Sequence, residues 1–249
     1  MDIGVDWAGK GWFAVGIDEG EVEKSNVFPT MWNLWREWGD EVDLTLIDIP
    51  IGLARNGKRA CDMAAKSYLS GGQKSSVFYT PTRVAVEARN LGAAKKAQDG
   101  ADFGIQNQAW SLVPRIRELD AFLRECDQSE RIVETHPEVC FTALAGGEGT
   151  GSKKTVQGAD ARIRLLQNAV EFDVEAYYDA TVKDFKKPSY APMIGSKDDI
   201  LDALVAAITA ALPPDQQESL VSEEGEGETV DTELNREMEM RIPAEPVTT

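Results

Sequence analysis

The sequence predicts an α/β protein built on a mixed five-stranded sheet, in which three antiparallel strands precede the parallel ones and helices cover both faces. The first observation is a β-meander: the segments IGVDWA, WFAVGID and EVEKSNVF are rich in β-branched and aromatic residues and are separated by turn residues. The second is the continuous apolar run VDLTLIDIPIGL, which is typical of a strand buried on both faces. A fifth strand, within ERIVETHPEVCF, follows only after a helical insert, and this order indicates parallel pairing.

Helices are predicted where apolar residues recur at steps of three and four. The segment TMWNLWREWGD has this spacing and ends at Gly39, and its tryptophans are expected to anchor the core. From Ile105 to Cys126 the same spacing predicts a long amphipathic helix, which Pro114 should kink or split. Ser196 is predicted to cap a last helix, KDDILDALVAAITAAL, which the following prolines stop.

The composition favours one large globular domain with an acidic tail. The chain has 249 residues, of which 42% are apolar and 28% charged. Residues 1–212 are assigned to one domain with inserts at about 56–130 and 141–195, and residues 213–249, which hold 11 acidic and two basic residues, to a disordered tail. The formal net charge of −17 argues against broad nonspecific adhesion to nucleic acid and indicates either salt-adapted solubility or a confined basic site.

Cysteine and histidine are too few for a structural zinc site, because the chain has three widely spaced cysteines and one histidine. No apolar segment approaches the roughly 20 residues that cross a bilayer. The first residues also lack a basic segment followed by an apolar one. We therefore expect a cytoplasmic protein that does not bind membranes.

Acidic residues interrupt the apolar elements at their ends. Asp6, Asp48 and Glu134 end the first, fourth and fifth strands, and Asp199 and Asp202 lie at the start of the last helix. The carboxyl ends of parallel strands converge, and ligands bind there. Gathered carboxylates require a cation, and oxygen ligands alone favour Mg²⁺ or Mn²⁺. Two such ions about 4 Å apart would clamp the attacking and leaving oxygens of a phosphodiester.

Each acid also has a purely structural interpretation. Asp6 could accept hydrogen bonds from the following glycine turn, and Asp48 could simply terminate its strand. Asp199 lies in the first helical turn, where the helix dipole favours acids. Asp202 is harder to explain in this way, because it follows Asp198 by four residues and Asp199 by three, so that like charges crowd one side of the helix. A metal ion would relieve that repulsion.

Several segments, spread from residue 3 to about residue 211, carry a resemblance to a known family: GVDWAGKGW, IDIPIGL, KRACDMAAK, SSVF, QAW with PRIRELD, ETHPEV, SKKT and DDILDALVAA. In this order they resemble the predicted nucleases with an RNase H fold, domain of unknown function 429. The resemblance implies the RNase H-like sheet of Holliday-junction resolvases and retroviral integrases, with catalytic acids on strands one and four and on the last helix. By this carry-over Asp6 and Asp48 match the strand acids, and Asp199 and Asp202 match the resolvase-type pair. Glu134 lies in the ETHPE-like segment of the family.

A nuclease also needs cations for the phosphates of its substrate. Lys58, Arg59, Lys153 and Lys154 fall in loops or at helix starts and are candidates, the last pair because it follows a Gly-rich loop. The wider set adds Arg55, Lys74 and Arg83, for which scattered solubilising charges are the alternative.

His136, two residues past Glu134, is the last candidate. It is either a general acid/base, since histidine titrates near neutrality, or a hydrogen-bond partner of the turn at Pro137. Together these residues predict a nuclease for DNA or RNA that depends on Mg²⁺ or Mn²⁺ held by the aspartates. Two other classes compete: a nucleic-acid-binding or regulatory module that lost catalysis, and an actin-like nucleotide phosphotransferase, suggested by the turn from Asp6 to Gly9 but lacking a second copy of that hairpin.

Overall fold

The computed structural model describes residues 1–151, 155–187, 197–221 and 227–247. Its strands are β1 Asp2–Trp7, β2 Trp12–Asp18, β3 Glu21–Phe28, β4 Thr45–Ile47, β5 Ile132–Glu134, β6 Gln217–Leu220, β7 Val230–Asp231, β8 Arg236–Glu237 and β9 Met240–Pro243. Its α-helices are α1 Met31–Trp38, α2 Ala60–Tyr68, α3 Arg83–Val86, α4 Leu91–Ala97, α5 Asn107–Glu125, α6 Pro137–Leu144, α7 Val156–Gln167, α8 Val174–Phe185 and α9 Asp198–Ala211. The chain forms two compact units: the sheet unit comprises Met1–Asp48, Glu130–Glu218 and Arg241–Thr249, and the insert unit comprises Ile49–Ser129 and Ser219–Met240.

The main sheet is mixed and has the strand order β3-β2-β1-β4-β5-β9-β6. β2 pairs antiparallel with both β1 and β3, whereas β4 pairs in parallel with both β1 and β5. The predicted α/β class is confirmed, and its antiparallel and parallel parts are consistent with the RNase H-like sheet that the resemblance implies. The sheet has seven strands where five were predicted.

The two additional strands, β6 and β9, lie in the segment whose composition predicts disorder, so the structure differs from that prediction. Met238, Met240 and Ile242 are at most 3% exposed, and β7 pairs with β8 in the same stretch. These apolar residues alternate with the period of a strand. The composition averaged over 213–249 conceals this signal, because glutamates outnumber the apolar residues that form it.

Helix α9 packs directly on the backbone of β1. A Cβ atom added at Gly4 would lie 2.1 Å from the backbone N of Ala207 and 2.2 Å from the carbonyl oxygen of Ala203. Leu46 and Val133, level with Gly4 on the next two strands, pack against the same helix. The helix therefore approaches the sheet this closely because β1 has no side chain at residue 4.

Helix α1 covers the opposite face of the sheet. Phe28 packs edge to face against Trp38 of α1, with ring centres 5.0 Å apart, and it is level with Trp12. Trp12 is in turn level with Trp7. Trp7 is three residues from Gly4 on the same strand, and side chains alternate between the faces, so these aromatic residues lie on the face opposite to Gly4. Helices on both faces are thus confirmed. None of the helices within the described ranges is long and apolar enough to cross a bilayer.

Arg83 is the centre of a buried ion-pair network in the insert unit. Its guanidinium lies 3.1 Å from Asp120 and 2.5 Å from Asp231. Asp231 also accepts hydrogen bonds from the backbone N–H groups of Leu53 and Glu233, both at 2.8 Å. Arg83 therefore ties the β7–β8 segment to the helices of the same unit, which is neither of the roles that the sequence suggested for it.

We expect Asp231 to make the free energy of unfolding of the insert unit depend on pH in the acidic range. Burial acts to raise the pKa of Asp231, but backbone N–H donors and then the charge of Arg83 outweigh burial and hold the pKa below its ordinary value of 3.8. A depressed pKa contributes stability that is present above the ordinary value and is lost as the pH falls through the lowered one. The free energy of unfolding, measured with denaturant, should therefore decline as the pH falls below about 4. It should decline less steeply in Asp231→Asn than in the wild type.

The control for this titration is Asp99→Asn, which changes an exposed carboxylate of the same unit. This variant should keep the pH dependence of the wild type. If the pH profiles of Asp231→Asn and the wild type coincide, Asp231 does not contribute as described.

Candidate functional site

Asp6 and Asp48 lie side by side at the carboxyl ends of two neighbouring parallel strands. Val5 is level with Ile47, and the backbone N–H of Asp48 continues the ladder with a 2.9 Å hydrogen bond to the carbonyl oxygen of Val5. Adjacent strands are roughly 4.8 Å apart, so the next residues on both strands are neighbours. Side chains alternate between the faces of a sheet, which places Asp6 on the face of Gly4, the one covered by α9.

Alternation along the strand gives the face on which Asp48 lies, because Leu46, two residues before it, packs against α9. On α6, burial raises the pKa of Cys140 to about 11, hydrogen bonds with Thr135 and Thr209 oppose the rise, and the negative charge of Asp48 adds to it. Asp48 and Asp6 thus share the face of the sheet that α9 covers.

Asp199 and Asp202 lie on the side of α9 that faces the sheet. Helix residues four apart share a face. Asp199 lies four residues before Ala203, and Asp202 lies four residues before Ala206. The backbone of both alanines lies against Gly4 of β1. Asp202 is only 3% exposed, whereas Asp199 is partly exposed. Both acids therefore lie one turn before the point where the helix touches β1.

Asp202 is paired with Arg162, a cation that the sequence analysis missed. Arg162, on α7, is 1% exposed, and its guanidinium lies 3.1 Å from the carboxylate of Asp202. The same guanidinium donates to Glu138 in the first turn of α6, which begins just after β5, so the network lies at the carboxyl ends of the strands. A signal for it is present in the sequence, because the buried residues of α7 recur every four positions: Gly158, Arg162 and Leu166.

Glu134 and His136 lie at the end of β5 and just after it. Glu134 is level with Ile47, so alternation places its side chain on the face opposite to that of Asp48. The structure thus puts Glu134 at the same edge of the sheet as the two aspartates, on its other face.

His136 takes the N-cap position of α6, and its Nδ1 is buried without a hydrogen-bond partner among the described residues. Buried polar atoms without a partner are uncommon in folded proteins. The alternative role predicted for His136, a hydrogen bond to the turn at Pro137, is not made by Nδ1 here. The imidazole therefore has hydrogen-bonding capacity that the described chain does not use.

The carboxylates fit a magnesium-type site only in part. In the described part of the chain, no group of three or more His, Cys, Asp or Glu side chains is arranged to hold a metal ion. Mg²⁺ is, however, commonly bound by one or two carboxylates together with waters and substrate phosphates, and the adjacent Asp6 and Asp48 match that requirement. Asp202 already has Arg162 as its counter-ion. The fit therefore favours Asp6 and Asp48 as the ligands.

Two of the predicted phosphate-binding cations, Arg59 and Lys58, have internal partners. Arg59 is fully buried and its guanidinium binds a backbone carbonyl oxygen at 3.0 Å and the carboxylate of Asp62, so it has a structural role in place of the predicted phosphate contact. Lys58 lies 2.7 Å from the carboxylate of Asp102. Lys153, Lys154 and the predicted helix cap Ser196 lie outside the described residues.

The fold and the site define an α/β protein with paired carboxylates at the ends of adjacent parallel strands. Residues 4–225 match the family described as Protein of unknown function (DUF429), and the chain belongs to that family. The resemblance carried by the order of the sequence segments is thus confirmed at the level of the family. No curated protein and no solved structure matches the chain.

Proposed function

We propose that this protein is a divalent-metal-dependent nuclease that hydrolyses phosphodiester bonds of DNA or RNA. The observation that carries the proposal is the position of Asp6 and Asp48, neighbours at the carboxyl ends of β1 and β4 on the face that α9 covers. Carboxylates side by side repel each other, and a shared cation offsets that repulsion. The proposed relationship to RNase H-like nucleases, drawn from the sequence segments, supports the same assignment.

The residues of the chain would divide the work as follows. Asp6 and Asp48 would hold Mg²⁺ or Mn²⁺, which when bound supplies a Lewis acid for phosphate oxygens and lowers the pKa of water. Asp6 lies in β1 and Asp48 directly follows β4, and regular elements position a site more precisely than loops do. Arg162 fixes Asp202 at the start of α9 through the ion pair at 3.1 Å. His136 would be the general acid/base.

Cleavage of labelled nucleic acid tests this proposal. The protein should cut at least one of branched, hybrid, single-stranded or duplex substrates with Mg²⁺ or Mn²⁺, and a chelator should stop the reaction. The assay is run at low and at molar salt, because salt adaptation is one of the two interpretations of the net charge of −17. Asp6→Asn and Asp48→Asn keep the side-chain shape and remove the charge, and each should slow cleavage by about 100-fold or more.

The matched control is Asp40→Asn, which removes an exposed carboxylate from the sheet unit and should keep the rate of the wild type. Thermal unfolding of each variant separates loss of the site from loss of the fold. Two results would contradict the proposal: no cleavage of any substrate by the wild type, or cleavage by Asp6→Asn at the rate of the wild type.

A nucleic-acid-binding module without catalysis is the second candidate. The ion pair between Arg162 and Asp202 favours it, because a guanidinium takes the position beside Asp202 that a metal ion would need. Calorimetric titration with Mg²⁺ and Mn²⁺ distinguishes the two. The nuclease should bind the ions and lose that binding in Asp48→Asn, whereas the module should bind nucleic acid equally well with and without them.

A further inference from the structure

A loop of the insert unit holds a carboxylate in a cradle of main-chain donors. The backbone N–H groups of Arg55, Asn56 and Gly57 each donate to the carboxylate of Glu228 at 2.7 Å. Two of them share Oε1, and the N–H of Arg55 reaches Oε2. Successive N–H groups that converge on one point form a nest, an arrangement that proteins use to bind phosphate and other anions.

The cradle favours negative charge. Burial acts to raise the pKa of Glu228, but the three N–H groups and then the charge of the Arg55 side chain outweigh burial and hold the pKa below its ordinary value. Arg55 thus supplies a main-chain donor and carries a positively charged side chain. Three donors converge on a group that brings only two oxygens.

Main-chain hydrogen bonds hold Glu228 beside the cradle, as they would hold a bound peptide. Its N–H donates to the carbonyl oxygen of Lys58, and its own carbonyl oxygen accepts from the N–H of Ala60, both at 2.8 Å. Gly227 passes so close that an added Cβ would lie 2.9 Å from backbone atoms of Lys58 and Ala60. Glu228 itself stays partly exposed. Residues 227 and 228 therefore lie across the loop, and the side chain of Glu228 is an internal ligand that solvent can reach.

We propose that the loop of residues 55–57 is a phosphate-binding site whose resident occupant is Glu228. A phosphate group offers three strong acceptor oxygens, one more than a carboxylate, so it can satisfy the N–H donors and the Arg55 guanidinium together. The acidic segment competes with this ligand, and phosphate enters as Glu228 leaves. The inference goes beyond the nuclease proposal and does not depend on it, because every group that it uses belongs to the insert unit.

Titration of the full chain with inorganic phosphate, followed by the amide resonances of Arg55, Asn56 and Gly57, tests the proposal. In the wild type these resonances should shift only at high phosphate, because Glu228 competes. Glu228→Ala empties the cradle, and phosphate should then bind at least about tenfold more tightly and shift the same three amides. Glu237→Ala removes an exposed glutamate from the same segment and should bind phosphate as the wild type does.

Adenosine 5′-phosphate and adenosine distinguish a phosphate carried on a nucleotide from free phosphate. If the site accepts a phosphate monoester, inorganic phosphate and adenosine 5′-phosphate should both shift the loop amides. If only inorganic phosphate shifts them, the site is restricted to the free ion. Adenosine should shift none of these amides. Glu228→Gln keeps the side-chain shape should the alanine variant unfold. The carbon-13 resonance of the Glu228 carboxyl group in the wild type reports its displacement directly.

The proposal is overturned if a folded Glu228→Ala or Glu228→Gln chain shows no phosphate-dependent shift of the loop amides. It is equally overturned if saturating phosphate leaves the Glu228 carboxyl resonance of the wild type unchanged. None of these measurements involves cleavage of nucleic acid, so their failure is distinct from failure of the nuclease proposal.

Discussion

Replacing Arg162 with methionine is expected to lower the free energy of unfolding by about 3–5 kcal/mol, because it removes one partner of a buried charge network. The side chains of Asp202 and Glu138 are 4% and 14% exposed, and both would keep their carboxylates without the guanidinium. Methionine retains an unbranched apolar stem, so most of the loss comes from charge rather than from packing. Denaturant unfolding at neutral pH measures the difference.

The double variant Arg162→Met/Asp202→Asn tests that assignment. Neutralising Asp202 should recover about 1 kcal/mol or more of the loss, since contacting residues in one network are coupled. Arg164→Met, on an exposed position of the same helix, should change stability by less than about 0.5 kcal/mol. A single Arg162→Met variant as stable as the wild type would show that the buried carboxylates do not need the guanidinium.

Gly4→Ala is the second substitution with a large expected effect, a loss of about 3 kcal/mol. The added Cβ would meet backbone atoms of Ala203 and Ala207 at 2.2 and 2.1 Å, and backbone cannot rotate away as a side chain can. Helix α9 would have to move off β1, and it carries Asp199 and Asp202 with it. The variant should therefore lose both stability and any activity that depends on those acids.

Gly100→Ala is the control for this substitution, because a Cβ at that position meets no atom within 4 Å. It should change the free energy of unfolding by less than about 0.5 kcal/mol. Equal unfolding midpoints for Gly4→Ala and the wild type would mean that α9 can shift without cost, and the close packing described here would be wrong.

Part of the candidate site could be predicted from the sequence because it depends on local pattern. An acid that ends a β-branched or apolar strand lies at the carboxyl edge of a parallel sheet, and this argument places Asp6 and Asp48. Their adjacency depends in addition on register, with Val5 level with Ile47, and this pairing joins segments about 40 residues apart. The alternation of side chains along a strand also places Glu134 on the other face, but only once that register is known.

The groups that neutralise charge could not be predicted, because their partners are remote in sequence. Arg162 is 40 residues from Asp202, and the pattern of α7 shows only that the arginine is buried. Glu228 is 173 residues from Arg55, and nothing near either residue indicates the other. The strands after residue 213 were missed for a different reason: β6 neighbours β9 and β7 pairs with β8 within the same segment, but its glutamates dominate the average composition.

The path of the chain limits how the protein can be cut into pieces. Between its first and last residues the backbone changes unit four times, after Asp48, Ser129, Glu218 and Met240. An expression fragment that stops at residue 212 would lack β6 and β9 of the sheet and also Asp231, one of the two aspartates that bind Arg83. Neither unit can be obtained whole as one uninterrupted fragment, so a design that isolates the sheet must splice across residues 49–129 and 219–240.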